Sequence, residues 1–467
     1  MIKDIINSLK KNQLLILLPL IPAIFFSQYL VIFLSIIVVI LLYLKFDDSL
    51  FVFITIFTFL TLTSTLDENL RLFIQIFNYG VLGFLFFKHY GLDFKNYPVP
   101  TQLFVYVPVV FISIMLFSTV FSNYPALGFE QIFRTILFFI LIYLYYGLLL
   151  YNKDIYTFII SLSITGLFFA CLLIYSFMFT DVSLLAFADE YMIKLTHFFV
   201  HKNTLGVFFT IVIIFFTLYS YYTKSKVQKY FSYFVLVLLS LGLITTNSRS
   251  SIMVLFVGLV YLFFQIDKRL IKYFFISAAL FGSLFLLKPV RDFAELYMRF
   301  ESFSTGRDLI YETVFKTLPH VWLTGSGPAA TKYYFFEYSN YLMGSHEQLW
   351  MDYHIDKTIF GHAHNYYLYY FTDLGILGFI FSVLFPIFYF IMNYKVVQKT
   401  KLLDKKLYYI SIAILTIGIT FFLRGMLEWG GIISYGTISL DLPFWLLLCL
   451  LDYFYKLTNK EGSNYEA

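Results

Sequence analysis

His362, His364 and Asn365 stand together in the run Gly361-His362-Ala363-His364-Asn365, where a polar stretch meets a long apolar one that carries Gly375 and Gly378. An imidazole can take up or release a proton near neutral pH. His364 therefore reads as a general base for an attacking hydroxyl, and Asn365 as a group that orients the ring or binds substrate hydroxyls. His362, three residues before Asn365, is a second imidazole that shares or competes for that role. The alternative is a histidine packed at a helix start with its nitrogens satisfied, and residue types alone leave both readings open.

Arginines form the second set of candidates. Arg249 lies in Thr245-Thr246-Asn247-Ser248-Arg249-Ser250-Ser251, a tight polar turn between two apolar runs. A cation wedged between helix ends at a bilayer surface is costly without a partner, so Arg249 either snorkels to water or holds an anion. Arg307 falls in the first turn of a predicted helix, where free backbone N–H groups and the helix dipole already favour an anion such as phosphate. Arg424 ends an apolar run close to Glu428 and serves either as a structural ion pair or as a ligand contact. His201-Lys202-Asn203 opens another run, so His201 and Asn203 are either a polar cap or further substrate contacts. Five histidines (His320, His346, His354, His362 and His364) fall between 320 and 364, with Glu347, Asp352 and Asp356 among them. Their spacing matches no compact zinc pattern, so neither a metal nor another cofactor is expected.

These groups must be held by a membrane scaffold. The chain has 467 residues, 60% hydrophobic and only 13% charged, more apolar surface than a soluble fold could bury. It is expected to be an all-α polytopic membrane protein, a single integral domain over 1–467. The net charge of +5 includes no basic run of the kind nucleic acid requires. Cys171 and Cys449 both lie in apolar stretches, which argues against a disulfide. Lys3, Lys10 and Lys11 precede the first apolar run, but no small-residue cleavage site follows, so a retained first helix is expected.

Apolar segments fall near 14–26, 28–44, 50–64, 70–87, 103–122, 129–150, 155–178, 203–222, 230–246, 250–265, 273–288, 364–393, 407–424 and 438–455. The first two are short enough to form a hairpin or one tilted helix, which predicts about 12–14 spans. Placing both termini inside puts 20 of the 33 cations on the inner side, as topology requires. Of those 20, 19 are lysines, whereas seven of the eight arginines (Arg71, Arg134, Arg249, Arg291, Arg299, Arg307 and Arg424) face outward. A guanidinium binds carboxylate or phosphate oxygens in pairs and stays charged when half buried. The outward arginines thus either pair with outer acids such as Asp292, Glu295 and Glu301 or hold an anionic substrate.

Residues 289–363 form one large outer loop, too long to lack structure of its own. Phe293, Leu296, Tyr297 and Phe300 follow helical spacing between Arg291 and Glu301, which predicts an amphipathic helix on the outer membrane surface. Thr305, with Asp308 three residues on, reads as the capped start of a second helix. Leu309, Ile310, Val314, Phe315 and Leu318 continue that helix until Pro319 stops it. No internal repeat or mid-membrane charge pattern points to a transporter.

His364-Asn365, nine residues, Gly375, two residues and Gly378 resemble the signature of the O-antigen ligases and the related Wzy-type O-antigen polymerases of bacterial envelopes. The Ser248-Arg249 turn ahead of the large outer loop, and Gly306-Arg307 followed by Gly325-Ser326-Gly327-Pro328, carry the same resemblance, which covers roughly residues 200–393. It implies a GT-C-like membrane glycosyltransferase with its active site facing the periplasm or exterior of the bacterial inner membrane. Such an enzyme moves a glycan from an undecaprenyl diphosphate donor to a glycolipid or glycan acceptor, such as lipid A core, without metal and with inversion. By the resemblance, Arg249 and Arg307 hold the donor diphosphate and His364 activates the acceptor. A polymerase that joins lipid-linked repeat units shares these motifs.

Overall fold

The computed structural model describes residues 68–152, 155–178, 202–298, 307–338 and 362–462. Within them the regular structure is helical, without strands. The longer helices are α1 (Glu68–Tyr90), α2 (Gln102–Phe121), α3 (Pro125–Asn152), α4 (Ile155–Met178), α5 (Lys202–Tyr222), α6 (Lys226–Thr245) and α7 (Arg249–Ile266). They continue as α8 (Lys268–Ser283), α9 (Lys288–Met298), α10 (Arg307–Val321), α11 (Thr331–Tyr338), α12 (Tyr366–Leu403), α13 (Lys405–Arg424) and α14 (Ile438–Gly462). Among the described residues nine helices, α1–α3, α5–α8, α12 and α13, are long and apolar enough to cross a membrane. The chain is an all-α polytopic membrane protein, and the predicted segments match its helices to within a few residues, apart from α12 and α14, which run past their predicted ends. The segments at 14–26, 28–44 and 50–64 lie outside the described residues.

Helices satisfy every interior backbone group within the segment, which is why apolar runs of this length fold as helices in lipid. Polar caps set their starts. Ser225, Asp267, Asn365 and Asp404 each accept a hydrogen bond from a backbone N–H of the helix that follows. Apolar side chains such as Ile76 and Phe84 on α1, and Phe275 and Leu280 on α8, remain exposed, as suits a lipid-facing surface.

The described residues group into two compact units. The first comprises residues up to Pro98 together with Tyr143–Phe256. There α5 is buried nearly all round, and small residues allow close helix contact: Gly242 abuts Ala170, and Gly166 abuts Val212. Tyr90 OH donates to the carbonyl of Gly147 at 2.7 Å.

The second unit comprises Val99–Ile142 and residues from Val257 onward. Its core is aromatic, with Phe111, Tyr370, Phe381, Phe385, Tyr389, Phe444 and Trp445 buried among α2, α12 and α14. Gly418 on α13 lies against the Tyr389 ring, whose hydroxyl donates to Ile414 O at 3.0 Å.

The segment expected to form the large outer loop contains α9, α10 and α11. Arg291 on α9 stands 3.7 Å from Glu295 and 3.8 Å from Asp292, the acid pairing that is one of its two sequence readings. All three groups are about half exposed, so the pairs add little stability. The helix expected to stop at Pro319 differs at its end: α10 runs through Pro319 to Val321. Proline removes one backbone donor without forbidding a helical φ, and the turn formed before it carries the chain on. Arg299, Phe300, Glu301, Thr305 and Gly306 lie outside the described residues.

Candidate functional site

The turn before α12 holds His362, His364 and Asn365. His364 adopts φ +47°, a left-handed conformation that few non-glycine residues take. Asn365 follows as the helix cap: its Oδ1 accepts from Tyr367 N at 3.0 Å and Leu368 N at 3.1 Å, and its Nδ2 donates to Met426 O at 2.9 Å. Tyr366 N donates to Gly425 O at 2.7 Å. The turn is thus stitched to the segment that follows α13. That segment brings in Glu428, whose buried carboxylate Oε2 lies 3.6 Å from Nδ1 of His364. The His364 side chain is 16% exposed, and both ring nitrogens are buried. His362 packs beside it with ring centroids 4.5 Å apart, and stands 4.4 Å from the Trp429 ring.

The two signature glycines mark a break in α12. Gly375 takes φ +66°, ψ −158°, which no helix accommodates. There the loop after α10 docks: a Cβ on Gly375 would come within 2.7 Å of Gly325 N, and one on Gly325 within 2.6 Å of Gly375 N. Backbone bonds from Ser326 N to Thr372 O and from Gly327 N to Asp373 O, both 2.9 Å, replace the helical bonds lost at the break. Glycine is required because two backbones meet there with no room for a side chain.

Arg424 ends α13, is buried, and donates from Nη1 to Gly430 O at 2.8 Å. The loop it enters, residues 425–437, is buried from Gly431 to Gly436, whereas Met426 is exposed. Asp441 holds that loop by accepting from Gly431 N at 3.2 Å, from Ser434 Oγ at 2.8 Å and from Ser434 N. Trp445 Nε1 donates to Ile432 O at 2.7 Å.

Arg249 and Asn203 belong to the other unit. Asn203 lies in the first turn of α5 and Arg249 at the first position of α7. The turn ahead of Arg249 is tight: Asn247 has φ +52°, Ser248 N donates to Thr246 Oγ1 at 3.2 Å, and the hydroxyls of Ser248 and Ser251 are 2.8 Å apart. Gly206 on α5 packs onto it, since a Cβ there would meet Ser251 Oγ at 2.6 Å. Arg307 is the first residue of α10, in the first turn as the sequence predicts. His201 lies outside the described residues, as do Gly361, His346, His354, Glu347, Asp352 and Asp356.

Sequence reasoning missed Glu428 as a partner of His364, and it missed the buried acids Asp373 and Asp441. The latter two carried a legible signal, because a carboxylate inside an apolar run is costly and thus purposeful. Among the described residues, the non-glycine residues with positive φ are Asn247, Ala329, His364 and Tyr435. All four fall in the turns just described, the kind of strained backbone that gathers at functional sites.

Fold and site together define a multi-pass membrane protein with a histidine and buried acids at helix ends. Residues 234–383 match the family model described as O-antigen ligase, which supports the resemblance to the O-antigen ligase superfamily. The matched stretch takes in the Arg249 turn, α9–α11 and the whole His364–Gly378 signature. The family is one of membrane glycosyltransferase-like activity on lipid-linked glycans. A comparison with curated proteins gives no match.

Proposed function

We propose that this protein is an O-antigen-ligase-like glycosyltransferase. It transfers a glycan from undecaprenyl diphosphate to a glycolipid or glycan hydroxyl on the outer side of the bacterial inner membrane, with both termini inside. The observation that carries this reading is the pairing of His364 with Glu428. A buried carboxylate facing Nδ1 favours the tautomer protonated there, which makes Nε2 the basic nitrogen. The 3.6 Å separation suits a bond that tightens when substrate fills the site.

His364 then removes the proton of the acceptor hydroxyl as its oxygen attacks the anomeric carbon. The bond from that carbon to the diphosphate oxygen breaks, and the diphosphate leaves with its negative charge. Arg249 and Arg307 neutralise that charge, the kind of preorganised electrostatic stabilisation that contributes most to such transfers. An inverting displacement needs one base and no covalent intermediate, which suits His364 backed by the Glu428 carboxylate. His362, Asn203, His201 and Arg424 are further candidates for substrate contact. Asn365 would act chiefly by capping α12 and so fixing His364.

The test is glycan transfer by purified protein from a polyprenyl-diphosphate-linked glycan with EDTA present, comparing wild type with His364→Ala and Arg307→Ala. Transfer that survives EDTA and is lost in both folded variants is expected. Full activity in the folded His364→Ala protein would overturn the base assignment. A single added glycan marks a ligase, whereas a ladder of products marks a polymerase.

A further inference from the structure

We infer that Asp373 is a positioning residue of this site. Its carboxylate latches the 326–331 turn onto the break in α12, and so fixes α10, which opens on Arg307, relative to the helix that starts behind His364. The inference rests on the roles proposed above for Arg307 and His364.

Asp373 is fully buried, two residues before the break. Its Oδ2 accepts from Ala329 N at 2.9 Å and from the Tyr435 hydroxyl at 2.9 Å. Its Oδ1 accepts from Thr331 N at 3.3 Å and from Thr331 Oγ1. Its backbone carbonyl, freed by the break, accepts from Gly327 N at 2.9 Å and from Ser118 Oγ of α2 at 2.8 Å. One residue thus collects donors from α2, from the turn after α10 and from the loop after α13.

A buried carboxylate is tolerated only where hydrogen bonds replace its water, and here the donors are the elements that must be held. The latched turn also has lever geometry. It follows α10 directly, with Gly325 N donating to Val321 O at 2.8 Å, and it leads directly into α11 at Thr331. The backbone at Ala329 (φ +59°) is unfavourable by itself and needs an external hold. A helix moves as a rod, so loosening the turn at its C-terminal end displaces Arg307 at the other.

Asp373→Asn keeps the volume but sets an N–H group against donors on one side. The experiment combines two readouts on full-length protein in nanodiscs, with the exposed Cys171 replaced by alanine. Spin labels at Lys316→Cys on α10 and Tyr394→Cys on α12, both exposed positions, report the distance between the helices. Steady-state transfer reports KM for donor and acceptor separately. Asp373→Asn is expected to shift or broaden the distance distribution and to raise donor KM by about tenfold, with a smaller change in acceptor KM. Thr331→Val and Tyr435→Phe each remove one donor and should shift both readouts the same way by less. They keep the test available if Asp373→Asn does not fold. Superimposable distance distributions in the folded variants would overturn the latch. Shifted distances with unchanged kinetics would overturn its role in positioning Arg307. Shifted distances in a protein whose wild type transfers no glycan would leave the latch standing and defeat the proposed function instead.

Discussion

The Arg249 turn and the His364 turn are both polar corners at the ends of apolar helices, yet they are built differently. The first is local: Ser248 bonds to Thr246 and Ser251, Asn247 N donates to Ile244 O, and a neighbouring helix packs on the turn through Gly206. The second is assembled from afar. Asn365 reaches Met426, His364 faces Glu428, and the break at Gly375 receives Gly325. A corner whose parts bond among themselves can be made by a short stretch of chain. A corner that sets the Glu428 carboxylate 3.6 Å from the His364 ring draws on residues more than sixty apart in the chain.

The comparison breaks most sharply at the imidazole. His364→Ala should lower the transfer rate by about 10²–10⁴-fold with the fold retained, as loss of a general base does. Glu428→Gln should cost about 10–100-fold, the usual size of losing a group that orients an active side chain. If Glu428→Gln is as active as wild type in the glycan transfer assay, the two corners are alike after all.

The next effect is on stability. Gly375→Ala forces a side chain into a left-handed conformation against the Leu323 and Gly325 backbone. It should cost about 2–4 kcal/mol, read as a lower midpoint in detergent thermal unfolding. Gly206→Ala places a methyl 2.9 Å from Ser248 Cβ and should cost about 1–3 kcal/mol. A Gly206 variant more damaging than the Gly375 variant would reverse the view that the His364 corner depends more on long-range packing.

Arg249→Lys keeps the charge and loses the planar fork, so donor KM should rise by about tenfold while kcat moves less.

The smallest effect falls away from both corners. Asp267 caps α8 and pairs with Arg269 at 3.0 Å, and this hydrogen bonding holds its carboxyl below the usual value. A lowered carboxylate contributes stability that is complete above the ordinary carboxylate range and is lost as pH falls through the lowered value. The difference in thermal midpoint between wild type and Asp267→Asn should therefore be small at neutral pH and vanish in acid. A difference that grows in acid would contradict the assignment.

Much of this was legible in the chain. Apolar runs of spanning length marked the helices, because length in lipid is a local requirement; the caps found at Ser225, Asp267, Asn365 and Asp404 meet another local one, the free N–H groups of a helix start. His364, Arg249 and Arg307 stood out as costly groups at helix ends, and the spacing from Asn365 to Gly375 and Gly378 marked a family resemblance. The meaning of that spacing was not legible: Asn365 caps the helix and Gly375 breaks it for a loop some fifty residues earlier in the chain.

The sequence by itself thus determined a helical membrane protein, where its helices begin, and which imidazole and guanidinium groups sit at their ends. Only the tertiary structure decided that Glu428 faces His364, that Arg424 donates to Gly430, and that Asp373 gathers three segments. Periodicity and capping are written within a few residues. The partner of a buried polar group is chosen by the packing of helices far apart in sequence.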